Sequence, residues 1–182
     1  MRENIICAGF GGQGIMSLGK VLAYGGMLEN KHVSWLPSYG AEMRGGTANC
    51  SVIVSDSPIG SPIITKNGTV AIVMNKPSLY KFQELLQNNG ILFINSSLIE
   101  EKTNRKDLDA YYIPATDISL QICGDIKFAN MVMLGAFLAV TSLLKDDLSD
   151  SLNKIFSGSK IKYLPLNLKA IEEGKNYIKN YY

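Results

Sequence analysis

A glycine-rich turn between a buried apolar run and a helical pattern is the feature that most constrains this fold. Residues 4–9 predict a short strand, and helical spacing then continues to about Asn30. Between them, Gly9, Gly11 and Gly14 follow the pattern G-x-G-x-x-G. Glycine permits a tight turn, and a helix start offers free N–H groups to an anion. Strand, glycine turn and helix therefore predict the opening unit of an α/β fold.

Strands and helices continue to alternate along the chain. Strands are predicted at 32–36, 47–55, 70–74, 91–94 and 110–113, and helices at 77–87, 116–122, 127–144, 147–156 and 166–180. This order implies a three-layer α/β/α fold with a mostly parallel or mixed sheet, a Rossmann-like N-terminal half and a helix-rich C-terminal part. Because no linker or internal repeat divides the sequence, residues 1–182 are expected to form a single domain.

Charge and hydropathy exclude several classes of partner. The chain carries 18 Lys and Arg against 16 Asp and Glu, so we expect neither nucleic acid nor a membrane as partner. Residues 151–182 hold six Lys and two Glu, which predicts a solvated helical face, with an anionic partner as the alternative. The apolar stretch 128–144 is shorter than the roughly 20 residues that a bilayer requires. It predicts a buried helix, either central to this domain or covered by another subunit.

Cysteine usage and the start of the chain favour the cytoplasm. Cys7, Cys50 and Cys123 are widely spaced and odd in number, which argues against a disulfide framework. No two of them are close enough in sequence for an iron–sulfur cluster or structural zinc, and His32 is the sole imidazole. We therefore expect no metal site and no cofactor bound by this chain alone. Cys50 is predicted to be a core residue. The N-terminus shows no secretory signal pattern, and no triad, carboxylate pair or P-loop is visible, so no catalytic residue is assigned.

The glycine pattern alone does not establish a dinucleotide site. Such a site needs an acidic residue at the end of the second strand to bind ribose hydroxyls, and residues 34–37 read Ser-Trp-Leu-Pro there. Tight packing or a subunit contact is the other explanation for the glycines. A stand-alone nucleotide-binding oxidoreductase that uses this turn remains the alternative function.

A second group of polar residues lies in the segment 38–47. The Arg44 guanidinium can bind a phosphate or carboxylate through its planar fork, and Glu42 can pair with it or with a partner group. An internal Glu42–Arg44 ion pair that only fixes the loop is the alternative interpretation.

These motifs resemble one known family. The resemblance rests on the segments Gly9–Ile15, Pro37–Cys50, Ile59–Pro62, Asn130–Ala136 and Lys169–Gly174, which together extend over most of the chain. They are similar to the gamma subunit of 2-oxoacid:ferredoxin (acceptor) oxidoreductases. The pattern is most like the 2-oxoglutarate branch, with branched-chain 2-oxoacid enzymes as the nearest alternative. Some relatives place Pro where Ala41 stands, which implies a less rigid loop here.

The resemblance implies a multisubunit cytoplasmic enzyme that converts a 2-oxoacid to acyl-CoA and CO2 and reduces ferredoxin or another acceptor. In this family thiamine diphosphate with Mg lies between alpha and beta subunits, and the iron–sulfur clusters lie on beta or a ferredoxin-like delta subunit. What remains for a gamma subunit is assembly with those subunits, shaping of the site and contacts to coenzyme A.

The predicted site is one surface at the carboxyl ends of the strands, facing the alpha or beta subunit, with Arg44 toward an anionic group. Its candidate cofactor-binding or interface residues are Gly11, Gly12, Gln13, Gly14, Ser38, Tyr39, Glu42, Arg44, Gly45, Gly46 and Asn130.

Overall fold

A computed structural model describes residues 1–39, 47–144 and 148–182, with Tyr39 described by its backbone alone. One six-stranded sheet has the order β2-β3-β1-β4-β5-β6. Its strands are β1 (Arg2–Phe10), β2 (His32–Tyr39), β3 (Thr47–Ser55), β4 (Gly68–Val73), β5 (Leu86–Asn95) and β6 (Asp109–Ile113). The helices are α1 (Ile15–Leu28), α2 (Lys76–Gln83), α3 (Ala115–Cys123), α4 (Ala129–Val140), α5 (Ser149–Ile155) and α6 (Leu164–Tyr181). Short 3-10 helices lie at Ile126–Phe128 and Gly158–Tyr163.

Two hydrophobic cores cover the two faces of the sheet. Along β1, Ile5 and Cys7 join the larger core, which includes residues of α1, α4 and α6. Ile6 and Ala8 point the other way, into a smaller core that includes Leu79 of α2. This alternation follows from the two-residue period of a strand. The predicted three-layer α/β/α fold with a mixed sheet is confirmed.

The inserted strand β3 separates this sheet from the usual dinucleotide-binding order. β3 is antiparallel to both β1 and β2 and lies between them, with Phe10 opposite Thr47 and Tyr39 opposite Ala48. The end of β2 is thus two strand spacings, or roughly 10 Å, from the end of β1. In a classical NAD site the acidic residue that binds the ribose lies on the strand next to β1. At the end of β2 it would be one strand farther from the glycine turn, which is a second reason against such a site.

Helix α4 is central to the domain. Its apolar sequence had left two alternatives, a central helix or one covered by another subunit, and the structure shows the first. Its residues from Ala129 to Leu138 are buried, and its closest neighbour is α6, where Gly135 faces the backbone of Ile171. The helix is shorter than predicted, because a 3-10 turn precedes it and Thr141 adopts an extended backbone with ψ 146°. Across the described segments, none of the helices combines the length and apolarity needed to cross a membrane.

Three further predicted boundaries were wrong because tertiary contacts override local signals. α2 ends at Gln83 instead of Gln87, and β5 already starts at Leu86, ahead of the predicted stop at 88–90. The Arg105 guanidinium donates to the carbonyls of Gln83 and Leu86, at 3.1 and 3.4 Å, and so satisfies groups that the helix end leaves free. β2 extends to Tyr39 through Pro37, which an edge strand tolerates.

Candidate functional site

The glycine turn at the end of β1 is held by the side chain of Gln13. Gln13 Oε1 accepts a hydrogen bond from the Phe10 N–H at 2.6 Å, and Nε2 donates to the Met74 carbonyl at 3.2 Å. A Cβ at Gly9 would lie 2.6 Å from Gln13 Oε1, so this position has to be glycine. Gln13 therefore joins the ends of β1 and β4, and both ends of its amide are already hydrogen-bonded.

Two glycines give the turn its left-handed backbone. Gly12 has φ 97° and Gly14 has φ 73°, values that favour glycine. Gly12 is exposed, and a Cβ added there would have no atom within 4 Å. Gly11 is half-buried. The turn therefore presents backbone rather than side chains at its tip.

Asn130 fixes the start of α1 from across the fold. Its Nδ2 donates to the Gly14 carbonyl at 3.0 Å, and a Cβ at Gly14 would overlap the Asn130 amide. Gly14 is the N-cap of α1 and gives no side-chain cap to the first turn. The first N–H groups of a helix have no intrahelical partner and carry a partial positive charge. The structure thus brings Gly14 and Asn130, both predicted site residues, into one contact.

An open crevice of about 160 Å³ lies on one side of the turn, between the carboxyl ends of β1 and β4. It is lined by Gly12, Gln13, Met74, Leu98, Thr116, Ile126, Lys127 and Ala129. Leu98 and Ile126 are 50% and 57% exposed, so apolar surface faces outward beside the turn. α1 and α2 leave these strands toward opposite faces of the sheet, and such switch points are where open α/β sheets place ligands.

A second cavity of about 190 Å³ lies beside Gly14 and shares Lys127 with the crevice, and we call it the Lys127–Lys160 cavity. It is lined by Gly14, Ser17, Lys127, Phe128, Asn130, Phe156, Lys160, Tyr163 and Asn167. A hydrogen bond to Asp125 raises the pKa of Lys127, whose Nζ lies 2.8 Å from Asp125 Oδ2 and 4.3 Å from the centre of the Tyr163 ring. Lys127 is therefore cationic at neutral pH.

Three residues that line this cavity, Lys127, Lys160 and Asn167, were not among the predicted site residues. The available signal was the excess of lysine over residues 151–182, which was interpreted as a solvated helical face. Lys160 belongs to that segment but lines a cavity. Only the fold reveals this, because the cavity joins α1, α4, α6 and the two 3-10 helices.

The segment 40–46, which contains Arg44 and is called the arginine loop, is flanked by residues at the same end of the strands as the glycine turn. Tyr39 pairs with Ala48, and Thr47 pairs with Phe10, the residue that precedes the turn. Ser38, at the end of β2, is exposed. Glu42, Arg44, Gly45 and Gly46 lie outside the described residues, so their part in a common surface stays a prediction.

Two of the three cysteines form a buried pair in the core. Cys7 and Cys50 are opposite each other on β1 and β3, and both are fully buried. A hydrogen bond with Cys50, together with burial, raises the pKa of the Cys7 thiol well above its usual value. Cys50 behaves as the core residue predicted. Among residues 1–39, 47–144 and 148–182, no group of three or more His, Cys, Asp or Glu side chains could hold a metal ion.

Comparison with known proteins finds a matching family and several relatives. Residues 4–177 match the family described as pyruvate ferredoxin/flavodoxin oxidoreductase. The 2-oxoglutarate synthase subunit KorC of Methanocaldococcus jannaschii is 31% identical over 182 residues, covering 96% of this chain and 95% of that protein. The ketoisovalerate oxidoreductase subunit VorA of Methanothermobacter marburgensis is 36% identical over 172 residues, covering 93% of this chain. The present chain spans only 35% of VorA.

A solved structure shares the fold along the whole chain. The 2-oxoglutarate:ferredoxin oxidoreductase from Magnetococcus marinus, solved with 2-oxoglutarate, coenzyme A and succinyl-CoA bound, superposes with a TM-score of 0.88 at 22% identity. The match covers 100% of this chain and 32% of that one. The family match over residues 4–177 and the KorC relative confirm the resemblance seen in the sequence: the chain belongs to the pyruvate ferredoxin/flavodoxin oxidoreductase family.

Proposed function

We propose that this chain is the gamma subunit of a multisubunit 2-oxoacid:ferredoxin oxidoreductase. The observation that carries the proposal is the KorC relative, which is 31% identical and matches this chain over 95% of its own length. KorC is named as one subunit of 2-oxoglutarate synthase, so a protein of this size serves as one part of a larger enzyme. The complex would oxidise a 2-oxoacid to acyl-CoA and CO2 and reduce ferredoxin or another acceptor.

The carboxyl edge of the sheet is the surface that we propose faces the alpha or beta subunit. Exposed apolar side chains that lie together in one patch commonly mark contacts between proteins. Phe10, Leu98 and Ile126 are 37%, 50% and 57% exposed around the glycine turn, and this supports the placement. Ser38 and the arginine loop would extend the same contact.

The cofactors of the proposed enzyme belong to the companion subunits. Thiamine diphosphate and Mg would supply the decarboxylation, and iron–sulfur clusters would accept the electrons. The cysteines of this chain do not fit a cluster, since Cys7 and Cys50 lie in the core and Cys123 lies apart on α3. Our proposal for this chain is limited to assembly and to contacts with coenzyme A through Arg44.

We propose 2-oxoglutarate as the substrate, because the KorC relative matches this chain almost from end to end. Ketoisovalerate is the second candidate, supported by the higher identity of 36% to VorA. The substrate pocket of such an enzyme would lie mainly on other chains, so a direct assay has to decide.

Isolation of the native complex tests the proposal. The tagged chain is purified from its own cells without oxygen, its companions are identified by mass spectrometry, and turnover is measured with 2-oxoglutarate, ketoisovalerate and pyruvate. We expect companions that carry thiamine diphosphate and clusters, and the fastest turnover with 2-oxoglutarate. Purification without such companions would contradict the proposal, whereas faster turnover with ketoisovalerate would change the substrate alone.

Arg44→Ala tests the proposed contact of the arginine loop. Removing the guanidinium should weaken assembly or raise the apparent KM for coenzyme A about tenfold, since a charge-assisted hydrogen bond contributes about 1.5–3 kcal/mol. Arg44→Lys keeps the charge without the fork and should restore little of the loss. Unchanged assembly and unchanged KM in Arg44→Ala would show that this role is wrong.

A further inference from the structure

We propose that the Lys127–Lys160 cavity binds a phosphate ester, with its phosphate at the N-terminus of α1 between the two lysines. The proposal concerns a site within this chain and does not depend on the proposed function. The cavity adjoins the β1–β4 crevice, because Lys127 lines both, but its other lining residues do not line the crevice.

The start of α1 provides the first part of the site. The helix is 14 residues long, its first turn contains no acidic residue, and its N-cap Gly14 gives no side-chain hydrogen bond to the free N–H groups. Asn130 holds the Gly14 carbonyl and so fixes the turn in place. Ser17, in the first turn, is one of the residues that line the cavity. Free N–H groups, the helix dipole and a hydroxyl are groups that bind phosphate oxygens.

A buried amide without a partner gives independent support. Asn167 is 3% exposed and lines the same cavity, yet its Nδ2 has no hydrogen-bond partner in the described structure. Leaving a buried donor unsatisfied costs about 1–3 kcal/mol, so natural proteins rarely do so without a reason. An anionic oxygen in the cavity would satisfy this donor.

The charges around the cavity favour an anion. Lys127 and Lys160 both line it, and Asp125 faces Lys127 from the adjoining 3-10 turn. Two ammonium groups against one carboxylate leave the cavity positive. The Asp125 contact also keeps Lys127 in place and protonated, as the raised pKa of Lys127 indicates.

Aromatic walls favour an ester over free phosphate. Phe128, Phe156 and Tyr163 line the cavity together with the polar groups, and Phe128 and Tyr163 meet edge to face at 6.1 Å. Aromatic rings beside a positive site favour a ligand that carries its phosphate on an aromatic or apolar group. That group can pack against the rings while the phosphate contacts the lysines.

Calorimetric titration of the full chain distinguishes the sources of phosphate. The probes are adenosine 5′-diphosphate, adenosine and inorganic phosphate, each added at low ionic strength. We expect adenosine diphosphate to bind, inorganic phosphate to bind at least tenfold more weakly, and adenosine to give no measurable heat. Equal affinity for adenosine diphosphate and inorganic phosphate would overturn the ester assignment. If neither of these two binds, the site itself is overturned. Neither result depends on assembly or turnover, on which the proposed function depends.

Two lysines of one 3-10 helix provide a matched pair of variants. Lys160 lines the cavity, whereas Lys162 lies over the Tyr163 ring at 5.1 Å and is absent from the lining. Lys160→Ala should weaken adenosine diphosphate binding about tenfold, the loss typical of a hydrogen bond to a charged group, and Lys162→Ala should leave it unchanged within twofold. Equal effects of the two variants would show that general charge, not this cavity, attracts the ligand.

Asn167→Leu separates a ligand contact from a structural role. The substitution removes an unsatisfied donor and keeps a similar volume, so the unliganded chain should unfold at the same urea concentration or a higher one. Affinity for adenosine diphosphate should fall at least threefold. Lower stability with unchanged affinity would assign Asn167 to the fold and contradict its part in the site.

Discussion

Glycines serve opposite purposes in two regions of this molecule, the α4–α6 crossing and the turn after β1. At the crossing, a Cβ on Gly135 would overlap the carbonyl of Ile171, and one on Gly174 would overlap the carbonyl of Val132. Both glycines lie inside helices, where glycine costs about 1 kcal/mol relative to alanine. At the turn, Gly12 has φ 97° and open space around it.

The two regions require glycine for different reasons, close packing at the crossing and backbone conformation at the turn. The crossing needs glycine because two helix backbones approach too closely for any side chain. The tip of the turn needs glycine because of its backbone angles, and it leaves its surface open. The crossing therefore stabilises the domain, whereas the turn can present its backbone to a ligand or a partner subunit.

Gly135→Ala should have the largest effect on stability. The new methyl group would meet a backbone carbonyl of α6, which can move only if the two helices separate. We expect a loss of about 3 kcal/mol in the free energy of unfolding, measured with urea. Gly60→Ala is the control, because nothing lies within 4 Å of a Cβ there and its loop can accept the substitution. Similar losses in the two variants would contradict the close helix contact.

Gly14→Ala should have the next largest effect, because it combines strain with a clash. The residue would have to adopt φ 73°, and its Cβ would overlap the Asn130 amide. We expect a loss of about 2 kcal/mol in unfolding free energy. In an Asn130→Ala background the clash disappears and the loss should be smaller by about 1 kcal/mol. Additive effects of the two substitutions would show that Gly14 and Asn130 are not coupled.

Gly12→Ala isolates the conformational part of the turn. Its Cβ would meet no other atom, so only the left-handed backbone opposes the change. The expected loss is about 1 kcal/mol, and Gly12→Asn should lose less because asparagine tolerates this region. A loss as large as that of Gly135→Ala would mean that the tip is packed rather than open.

The smallest effect on stability is expected from a substitution of Asp56, which lies near the amino end of β1, far from both regions. Asp56 accepts hydrogen bonds from Lys31 Nζ at 2.8 Å and from the N-terminal ammonium at 2.6 Å, and these lower its pKa to about 2. Because the folded pKa lies below the unfolded value of about 3.9, the stabilisation exists above that value and is lost as pH falls to about 2. Asp56→Asn should therefore lower the urea midpoint slightly at pH 7, with the difference from the unsubstituted protein shrinking between pH 4 and pH 2. A constant difference over that range would contradict the pairing.

Much of the fold could be predicted because its signals are local. The run Ile5-Ile6-Cys7-Ala8, the turn after it and the period-two pattern of β3 each indicate an element without reference to the rest of the chain. The position of β3 between β1 and β2 could not be predicted, since strand order depends on long-range pairing. The early end of α2 also depends on a distant residue, Arg105.

The site was predictable in part for the same reason. Gly14 and Asn130 were both selected from their motifs, but their mutual hydrogen bond joins residues 116 apart. Lys160 and Asn167 gave no motif at all, and their importance follows from a cavity that α1, α4, α6 and the two 3-10 helices create together.

The central claim is that this chain is one part of a larger enzyme, and an assay of the chain alone tests it most directly. The purified protein is incubated without oxygen with 2-oxoglutarate, coenzyme A, thiamine diphosphate, Mg and an artificial electron acceptor, before and after addition of its companion subunits. We predict no acceptor reduction by the chain alone and rapid reduction once the companions are present. Sustained turnover by the chain alone would contradict the claim.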